Sequence, residues 1–183
     1  GGCGFIGSHI IEEILKIRGS KILILDNLVS GNLKNIDQKN KRIKFVKIDI
    51  SKNTKKLIDS FKKIDVVIHL AALADIVPSI NNPKLYYSTN VTGTLNVLDA
   101  CVKNKVKKVV YAASASSYGL PIKFPTDEKS PISLMYPYAL TKKLGEDLLI
   151  HWGTVYKLNV TSLRLFNVFG TRSRTSGAYG AVF

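Results

Sequence analysis

The sequence predicts an α/β fold built on a doubly wound parallel sheet, and three observations point to it. Short apolar runs alternate with longer amphipathic helical patterns along the 183 residues. The short runs are apolar on both faces, as is typical of parallel strands covered by helices on both sides. A glycine-rich stretch stands directly before the first helical pattern. Strand–helix alternation of this kind forms βαβ units with right-handed crossovers.

Five compact runs, rich in β-branched residues, are the predicted strands. They lie at 21–26, 43–49, 65–72, 107–114 and 159–166. The first ends at Asp26 and the fourth ends at Ser114. Both polar residues are therefore expected at the carboxyl edge of the sheet, where doubly wound folds bind their ligands.

Four helical patterns lie between these runs. The first covers 5–19, with Gly19 as a C-cap. The second covers 53–63 and starts at a capping Asn or Thr. The others cover 82–104, with Pro83 at the first helical position, and 136–157. One long Pro-rich connection at 119–137 precedes the last helix, and loops of this length in compact domains are usually functional.

The charge balance is strongly positive, with 27 Lys and Arg against 13 Asp and Glu and a formal net charge of +14. Most of the excess is lysine, which we interpret as solvated side chains on helix faces and loops. Aromatic residues are not interleaved with these lysines as a base-stacking surface requires, so nucleic-acid binding is not expected. Mild attraction of anionic nucleotides stays open.

The sequence offers no pattern for a metal site or a disulfide framework. Its two cysteines and three histidines are scattered without ligand spacing. No apolar run approaches the roughly 20 residues that span a bilayer. We expect a protein of the reducing cytoplasm that does not enter the membrane.

The opening glycines have the spacing of a Rossmann-type dinucleotide loop. Gly1, Gly4 and Gly7 precede an amphipathic helix, and Asp26 ends the next strand 19 residues after Gly7. A helix N-terminus attracts a pyrophosphate, and a carboxylate at the strand end can accept the ribose hydroxyls. No arginine follows Asp26, which favours NAD over NADP.

The strand that normally precedes such a loop lies at the centre of the sheet, in the order 3-2-1-4-5-6. It is missing before Gly1, so we expect a fragment of a longer protein that does not fold stably alone. The expected domains are an NAD-binding Rossmann domain at 1–166, incomplete at its start, and the truncated start of a substrate-binding region at 167–183.

Tyr138 and Lys142 form a YxxxK pair on one face of the last predicted helix. A nearby ammonium favours the phenolate, so we expect Lys142 to lower the pKa of Tyr138 and make it a base. The spacing alone is common and usually structural. It gains weight from Ser114, which could hydrogen-bond the reacting oxygen and pass its proton to Tyr138.

Several stretches together resemble a known family. They are "GGCGFIGSH", "DNLVSGN", "HLAALADIVPS", "NVTGTLNVL", "SASSYG", "YPYALTKKLGED" and "LRLFNVFGTR", with "DI" at 49–50. The chain is similar over essentially its whole length to the extended short-chain dehydrogenases/reductases, specifically the NAD-dependent nucleotide-sugar epimerases and dehydratases.

The resemblance implies a catalytic triad of Ser114, Tyr138 and Lys142, with a UDP-sugar as substrate and no metal. Tyr138, Ser114, Ser116 and Asn167 would contact the substrate, Asn167 at its diphosphate. Lys142 would also hold the nicotinamide ribose. The family commonly dimerises through the helices that correspond to those near 83–103 and 136–158, and we expect a homodimer.

The resemblance also implies the residues that bind NAD. Phe5 and Ile6 would meet the pyrophosphate, Asp26 and Asn27 the adenosine ribose, and Asp49 and Ile50 would flank the adenine. His69 is expected to pack in the core, and Cys3 has no assigned chemistry. The full predicted NAD set is Gly1, Gly4, Phe5, Ile6, Gly7, Asp26, Asn27, Asp49, Ile50, Leu70, Ala71, Ala72, Ala74, Asn90, Tyr138, Lys142 and Phe166.

The reaction is inferred from the residues after Ser114. Related 4,6-dehydratases carry an Asp-Glu pair there and decarboxylases a Glu, whereas this chain has Ala115, Ser116 and Ser117. This favours 4-epimerisation of UDP-glucose or UDP-N-acetylglucosamine through a transient 4-keto sugar. The alternatives are another nucleotide-sugar reaction (dehydratase, decarboxylase or reductase) and a non-catalytic dinucleotide-sensing or RNA-associated protein on the same fold.

Overall fold

The structure, a computed structural model, describes residues 1–173 of the chain. They belong to two compact units: one contains residues 1–49 and 168–173, and the other contains Ile50–Asn167. Each unit has its own parallel sheet. Most of the predicted start of a substrate-binding region lies outside the described residues, so the domain boundary after residue 166 stays a prediction.

The first unit contains a helix and two parallel strands. Helix α1 covers Phe5–Lys16, strand β1 covers Ile22–Asp26 and strand β2 covers Ile43–Lys47. The strands pair in parallel along their whole length, with Ile22 opposite Ile43. A small apolar core joins the helix, the first strand and the loops, and its buried members are Cys3, Ile11, Ile24 and Ile36.

The second unit contains three parallel strands in the order β3-β4-β5. Strand β3 covers Val66–His69, β4 covers Lys108–Ser114 and β5 covers Asn159–Leu165. The central strand β4 pairs with β5 along its whole length, so that Ser114 lies opposite Leu165. The chain therefore leaves the middle of this sheet at Ser114.

Five helices belong to the second unit, and the longest, α6, follows the Pro-rich loop. Helix α6 packs against β4, β5 and the helices α4 and α5. Gly145 permits the contact with β4, because a Cβ atom there would collide with the hydroxyl of Tyr111. The helices are α2 Lys55–Asp59, α3 Ile76–Asn81, α4 Pro83–Tyr87, α5 Gly93–Lys103 and α6 Pro137–Tyr156.

All five predicted strands are present, and the α/β architecture is confirmed. Several predicted elements were too long at their ends. The largest differences are at β3, which stops at His69, at α2, which stops at Asp59, and at α1, which stops at Lys16 before a left-handed Gly19 with φ +80°. The helix predicted at 82–104 is present and begins at Pro83. A π-helical turn at Ser88–Thr92, which was not predicted, lies within it between α4 and α5.

Within residues 1–173, no helix has the length and apolar character that crossing a membrane requires. Over the same residues, no group of three or more His, Cys, Asp and Glu side chains is arranged to hold a metal ion.

Candidate active site

Ser114 is held at the end of β4 by the turn that follows it. The chain enters a short 3-10 turn over Ala115–Tyr118, and Ser114 is 8% exposed. Its Oγ accepts a hydrogen bond from the Ser116 amide at 3.2 Å and another from the Ser116 hydroxyl at 2.8 Å. A hydroxyl has two acceptor lone pairs and one proton, so Ser114 is left to act as a donor toward a third group.

That third group is Tyr138, in the first turn of α6. The Ser114 hydroxyl lies close enough to the Tyr138 phenol to affect its pKa, and the backbone amide of Tyr138 donates to the Ser79 hydroxyl at 3.1 Å. Burial raises the pKa of Tyr138, and the interaction with the Ser114 hydroxyl opposes the rise because it stabilises the phenolate. Ser114 and Tyr138 are therefore brought together as their positions in the sequence predicted.

The expectation that Lys142 lowers the pKa of Tyr138 was wrong for this structure. The net pKa of Tyr138 is raised because burial dominates, and the interactions that accompany burial are those with Ser114 and Asp75. Lys142 itself is 4% exposed, and its Nζ lies over the Tyr111 ring, 4.3 Å from the centroid. Burial lowers the pKa of this lysine to about 7. Its charge is thus sensitive to groups that later enter the site.

Asn90 supports the site without leaving an amide hydrogen for a ligand. It lies in the π-helical turn, fully buried, and its Nδ2 donates to the Leu73 carbonyl and to the Thr141 hydroxyl, both at 3.0 Å. Its Oδ1 accepts from the Leu73 amide at 2.8 Å. Asn90 therefore ties the segment after β3 to the residue that precedes Lys142. Single π-turns inside helices often occur at functional sites.

His69 is a core residue, as the sequence analysis expected. Its Nε2 lies 3.0 Å from the Thr94 hydroxyl, which itself donates to the Asn90 carbonyl at 2.6 Å. Because Thr94 gives its only proton to that carbonyl, Nε2 must be the donor to Thr94. Burial lowers the pKa of His69 to about 3, so the ring is neutral.

The remaining predicted residues of the second unit lie along exposed or half-buried chain. Leu70, Ala71 and Ala72 are half-buried after β3, and Ala74 is exposed. Phe166 is 61% exposed and stacks on Tyr118 with 6.2 Å between ring centroids, and Asn167 is exposed. Ile50 is buried.

The glycine-rich loop of the first unit is tightly packed against the start of α1. A Cβ atom on Gly7 would lie 2.5 Å from the Gly1 carbonyl oxygen and 2.7 Å from the Gly2 Cα. Gly4 is the N-cap and offers no side chain to the amides of the first turn, which includes Phe5 and Ile6. Uncapped amides at a helix N-terminus favour an anion such as a diphosphate.

The Asp26 carboxylate accepts hydrogen bonds from the backbone around this loop, which its position at the end of a strand did not predict. The carboxylate is 6% exposed and accepts from the Cys3 amide at 3.0 Å and the Leu28 amide at 2.8 Å. Each oxygen retains acceptor capacity, so a ribose hydroxyl can still be bound. The Oδ1 of Asn27 accepts a hydrogen bond from the Val29 amide at 3.1 Å. Asp49 is half-buried. Burial raises the pKa of the Cys3 thiol to about 11, consistent with the absence of any assigned chemistry.

Sequence reasoning missed the residues that hold the site in place. Ser79 fixes the start of α6, and it lies in α3, a six-residue helix containing Pro78 that was not predicted. Thr141 was also missed. The available signal was its position directly before Lys142 in the YxxxK segment.

The comparisons with known proteins address the family and the fold of the chain. The sequence matches the NAD dependent epimerase/dehydratase family over residues 1–183. A putative UDP-glucose 4-epimerase from Methanocaldococcus jannaschii is 37% identical over 183 residues, covering 100% of this chain and 59% of that protein. The chain thus spans about three fifths of the length of this relative.

Two solved structures show the same fold at this level of identity. A UDP-N-acetylglucosamine 4-epimerase from Methanobrevibacter ruminantium superimposes with a TM-score of 0.92 at 36% identity, covering 100% of this chain and 58% of that one. A dTDP-glucose 4,6-dehydratase from Streptomyces venezuelae, solved with NAD bound, gives 0.92 at 28% identity, covering 98% of this chain and 58% of that one.

These similarities confirm the Rossmann-type fold, the extended short-chain dehydrogenase/reductase resemblance and the expectation of NAD as cofactor. The chain belongs to the NAD dependent epimerase/dehydratase family.

Proposed function

We propose that the protein is an NAD-dependent UDP-sugar 4-epimerase in which Tyr138 is the base. The observation that carries the proposal is the placement of the Ser114 hydroxyl beside the Tyr138 phenol at the carboxyl end of the central strand. Lys142 lies one turn further along the same helix, with its ammonium group buried. A donor, a base and a lysine in this arrangement suit the oxidation of a sugar hydroxyl.

NAD fits the residues present. The close backbone packing at Gly7, which a Cβ atom would disrupt, and the uncapped start of α1 suit its diphosphate, and Asp26 retains acceptor capacity for a ribose. Phe5, Ile6 and Gly4 would hold the diphosphate, and Lys142 the nicotinamide ribose. When bound, NAD supplies reversible oxidation at C4 of the sugar.

The chain's own residues would handle the proton. Tyr138 would take it from the C4 hydroxyl, and Ser114 would donate a hydrogen bond to the same oxygen. Because Ser114 already accepts two hydrogen bonds from Ser116, its one proton is directed toward the reacting side, where it would move from Tyr138 to the C4 oxygen when the sugar binds. After the 4-keto sugar turns over, Tyr138 would return the proton to the opposite epimer. Ser116 and Asn167 are the proposed further contacts with the substrate.

The 4,6-dehydratase reaction is the main alternative within the family, and one of the similar structures is a dTDP-glucose 4,6-dehydratase. Elimination needs an additional acid and base next to the sugar. The turn that follows Ser114 holds Ala115, Ser116, Ser117 and Tyr118, with no carboxylate among them. This favours epimerisation. A purely dinucleotide-sensing protein would have no need of the hydrogen-bonded serine and tyrosine.

A homodimer and a cytoplasmic location are further parts of the proposal. The helices expected to form the dimer carry exposed apolar side chains, including Leu85, Leu95 and Leu140 at 49%, 36% and 43% exposure. Exposed apolar clusters of this kind commonly mark protein–protein contacts.

The experiment uses the full-length protein. It is incubated with UDP-glucose and separately with UDP-N-acetylglucosamine without added cofactor, and the products are identified by NMR. The proposal predicts the C4 epimer of at least one of them without accumulation of reduced cofactor. A stable 4-keto-6-deoxy sugar would show a dehydratase instead, and the absence of any change in both sugars would contradict the proposal.

A further inference from the structure

A buried ion pair lies on the same helix as the proposed base. Glu146 on α6 is 3% exposed, and Arg164 on β5 donates to it through Nε at 3.1 Å and through Nη2 at 2.9 Å. Ser162, also on β5, donates to the same carboxylate at 2.7 Å. Burial raises the pKa of the Glu146 carboxyl, but the hydrogen bonds from Arg164 and Ser162 outweigh it, so the net pKa is lowered. The pair is therefore charged on both sides.

The other side of the Arg164 guanidinium reaches the turn that follows Ser114. Its Nη1 donates to the Tyr118 hydroxyl at 2.9 Å and to the Glu128 carbonyl of the Pro-rich loop at 3.2 Å. The guanidinium carbon also lies 5.0 Å from the centroid of the Tyr118 ring, a cation–π distance. Tyr118 is 4% exposed. One side chain thus links a helix, a strand, a turn and a loop.

The two side chains that Arg164 binds, Tyr118 and Glu146, belong to the elements that carry the proposed catalytic residues. Tyr118 closes the 3-10 turn that begins directly after Ser114. Glu146 is the third member of the stripe Tyr138, Lys142 and Glu146, spaced by four residues on one helix face. Arg164 lies on the strand beside the end of β4, opposite Ala113. The planar fork of Arg164 therefore holds the Ser114 turn and the Tyr138 helix at one fixed separation.

We infer that Arg164, through Glu146 and Tyr118, is a positioning residue that keeps Ser114 within hydrogen-bond reach of Tyr138. This inference rests on the proposed function for its consequence in turnover. Stability alone does not explain the ion pair, because buried pairs can often be replaced by apolar side chains without loss. Catalytic geometry is more demanding, since a displacement of about 1 Å can cost about a hundredfold in rate.

The test is Tyr118→Phe in the full-length protein, with Tyr156→Phe as the matched control. Tyr118→Phe removes only the hydroxyl that Arg164 binds, while the ring and the Glu146 pair remain and Arg164 keeps its bond to Glu128. Tyr156 lies at the far end of α6 and is 51% exposed. We expect Tyr118→Phe to lower kcat by about tenfold with KM and bound NAD unchanged. The control should behave as wild type.

A second readout does not depend on turnover. The phenolate titration of Tyr138 is obtained as the ultraviolet difference between each protein and its version that also carries Tyr138→Phe. In Tyr118→Phe the midpoint should move to higher pH, because a displaced Ser114 no longer stabilises the phenolate. A merely structural role would lower the melting temperature and leave this midpoint in place.

The outcomes separate the two ideas. An unchanged kcat per NAD-loaded site together with an unchanged Tyr138 midpoint overturns the positioning role, whatever happens to stability. If the wild-type protein epimerises no UDP-sugar but the midpoint still moves in Tyr118→Phe, the proposed function fails and the positioning role stands. Loss of kcat in both Tyr118→Phe and Tyr156→Phe would also overturn it, since the effect would not be specific.

Discussion

Ser114 accepts two hydrogen bonds from Ser116, and this leaves its own proton for Tyr138. The direction matters for the base, because a hydroxyl that donates to the phenol oxygen favours the ionised form. Burial works against ionisation. The reactivity of Tyr138 thus depends on how well the turn after β4 holds one serine.

Replacing Ser114 by Ala should change the pH dependence of turnover as well as its rate. The base must be deprotonated to act, so activity falls as the pH drops below the pKa of Tyr138. Loss of the Ser114 hydrogen bond raises that pKa further, and the acidic limb of the kcat profile should move to higher pH. We expect kcat itself to fall by about a hundredfold. An acidic limb that stays in place or moves to lower pH would contradict the role assigned to Ser114.

The Ser116→Ala variant tests the orientation of Ser114 more gently. It removes the hydroxyl donor at 2.8 Å but retains the backbone amide that also binds Ser114. We expect a fall in kcat of about fivefold. The matched control is Ser60→Ala, because Ser60 follows α2 and its hydroxyl donates to the Lys56 carbonyl, away from the site. Equal rates for Ser116→Ala and the wild type would show that the Ser116 hydroxyl does not orient the site.

At the scale of elements, NAD binding is expected to depend on the backbone conformation at the start of α1. The loop passes so close to Gly7 that a methyl group has no room beside the Gly1 carbonyl oxygen and the Gly2 Cα. These contacts are with backbone, which cannot move aside as a flexible side chain can. The same close packing leaves the amides of the first helical turn open to an anion.

Gly7→Ala should therefore weaken NAD binding. We expect the full-length variant to lose most of its bound NAD on gel filtration and about 2 kcal/mol of unfolding free energy. Gly19→Ala is the control. Its φ of +80° makes alanine unfavourable, but no atom lies within 4 Å of the added Cβ, so stability should fall while NAD stays bound. Equal NAD content in Gly7→Ala and the wild type would be evidence against this loop as the diphosphate site.

Strands and helices with a regular apolar pattern could be predicted from the sequence, whereas a turn inside a helix and a very short helix could not. All five strands could be predicted because runs apolar on both faces are typical of a covered parallel sheet. The π-turn at Ser88–Thr92 could not, because its helix pattern continues across the extra residue. Helix α3 was missed for the opposite reason, since six residues are too few to show a period.

The candidate site could be predicted as residues but not as contacts. Ser114 and Tyr138 were identified because one ends a strand and the other stands in a YxxxK pair, and the structure brings their side chains together. The same spacing gave the wrong electrostatics for Lys142. The helix repeat determines which face of α6 carries Lys142. The position of its Nζ atom at the end of a flexible four-carbon side chain depends on packing, and here Nζ lies over the Tyr111 ring.

At the scale of the whole molecule, self-association is the property that can be tested most simply. Helix α6 packs on α4 and α5, and these helices leave Leu85, Leu95 and Leu140 exposed. A charge placed in an apolar contact between copies is costly, because it loses its water without gaining a partner. The predicted dimer therefore depends on these side chains.

Leu140→Asp should convert the full-length protein to a monomer in sedimentation velocity at micromolar concentration, where the wild type is expected to be a dimer. Ile17→Asp is the control, since Ile17 is 63% exposed and lies at the end of α1. A wild-type monomer, or a dimer that survives Leu140→Asp, would remove the proposed interface.

The account depends above all on Tyr138 as the base for oxidation at C4, and the most direct measurement is turnover per NAD-loaded site in Tyr138→Phe. Epimerisation of the accepted UDP-sugar is followed by NMR in the full-length wild type, in Tyr138→Phe and in Tyr156→Phe. We predict that Tyr138→Phe retains its NAD and loses at least about a thousandfold in kcat, while Tyr156→Phe keeps the wild-type rate. Near-normal epimerisation by Tyr138→Phe with NAD bound would contradict the account.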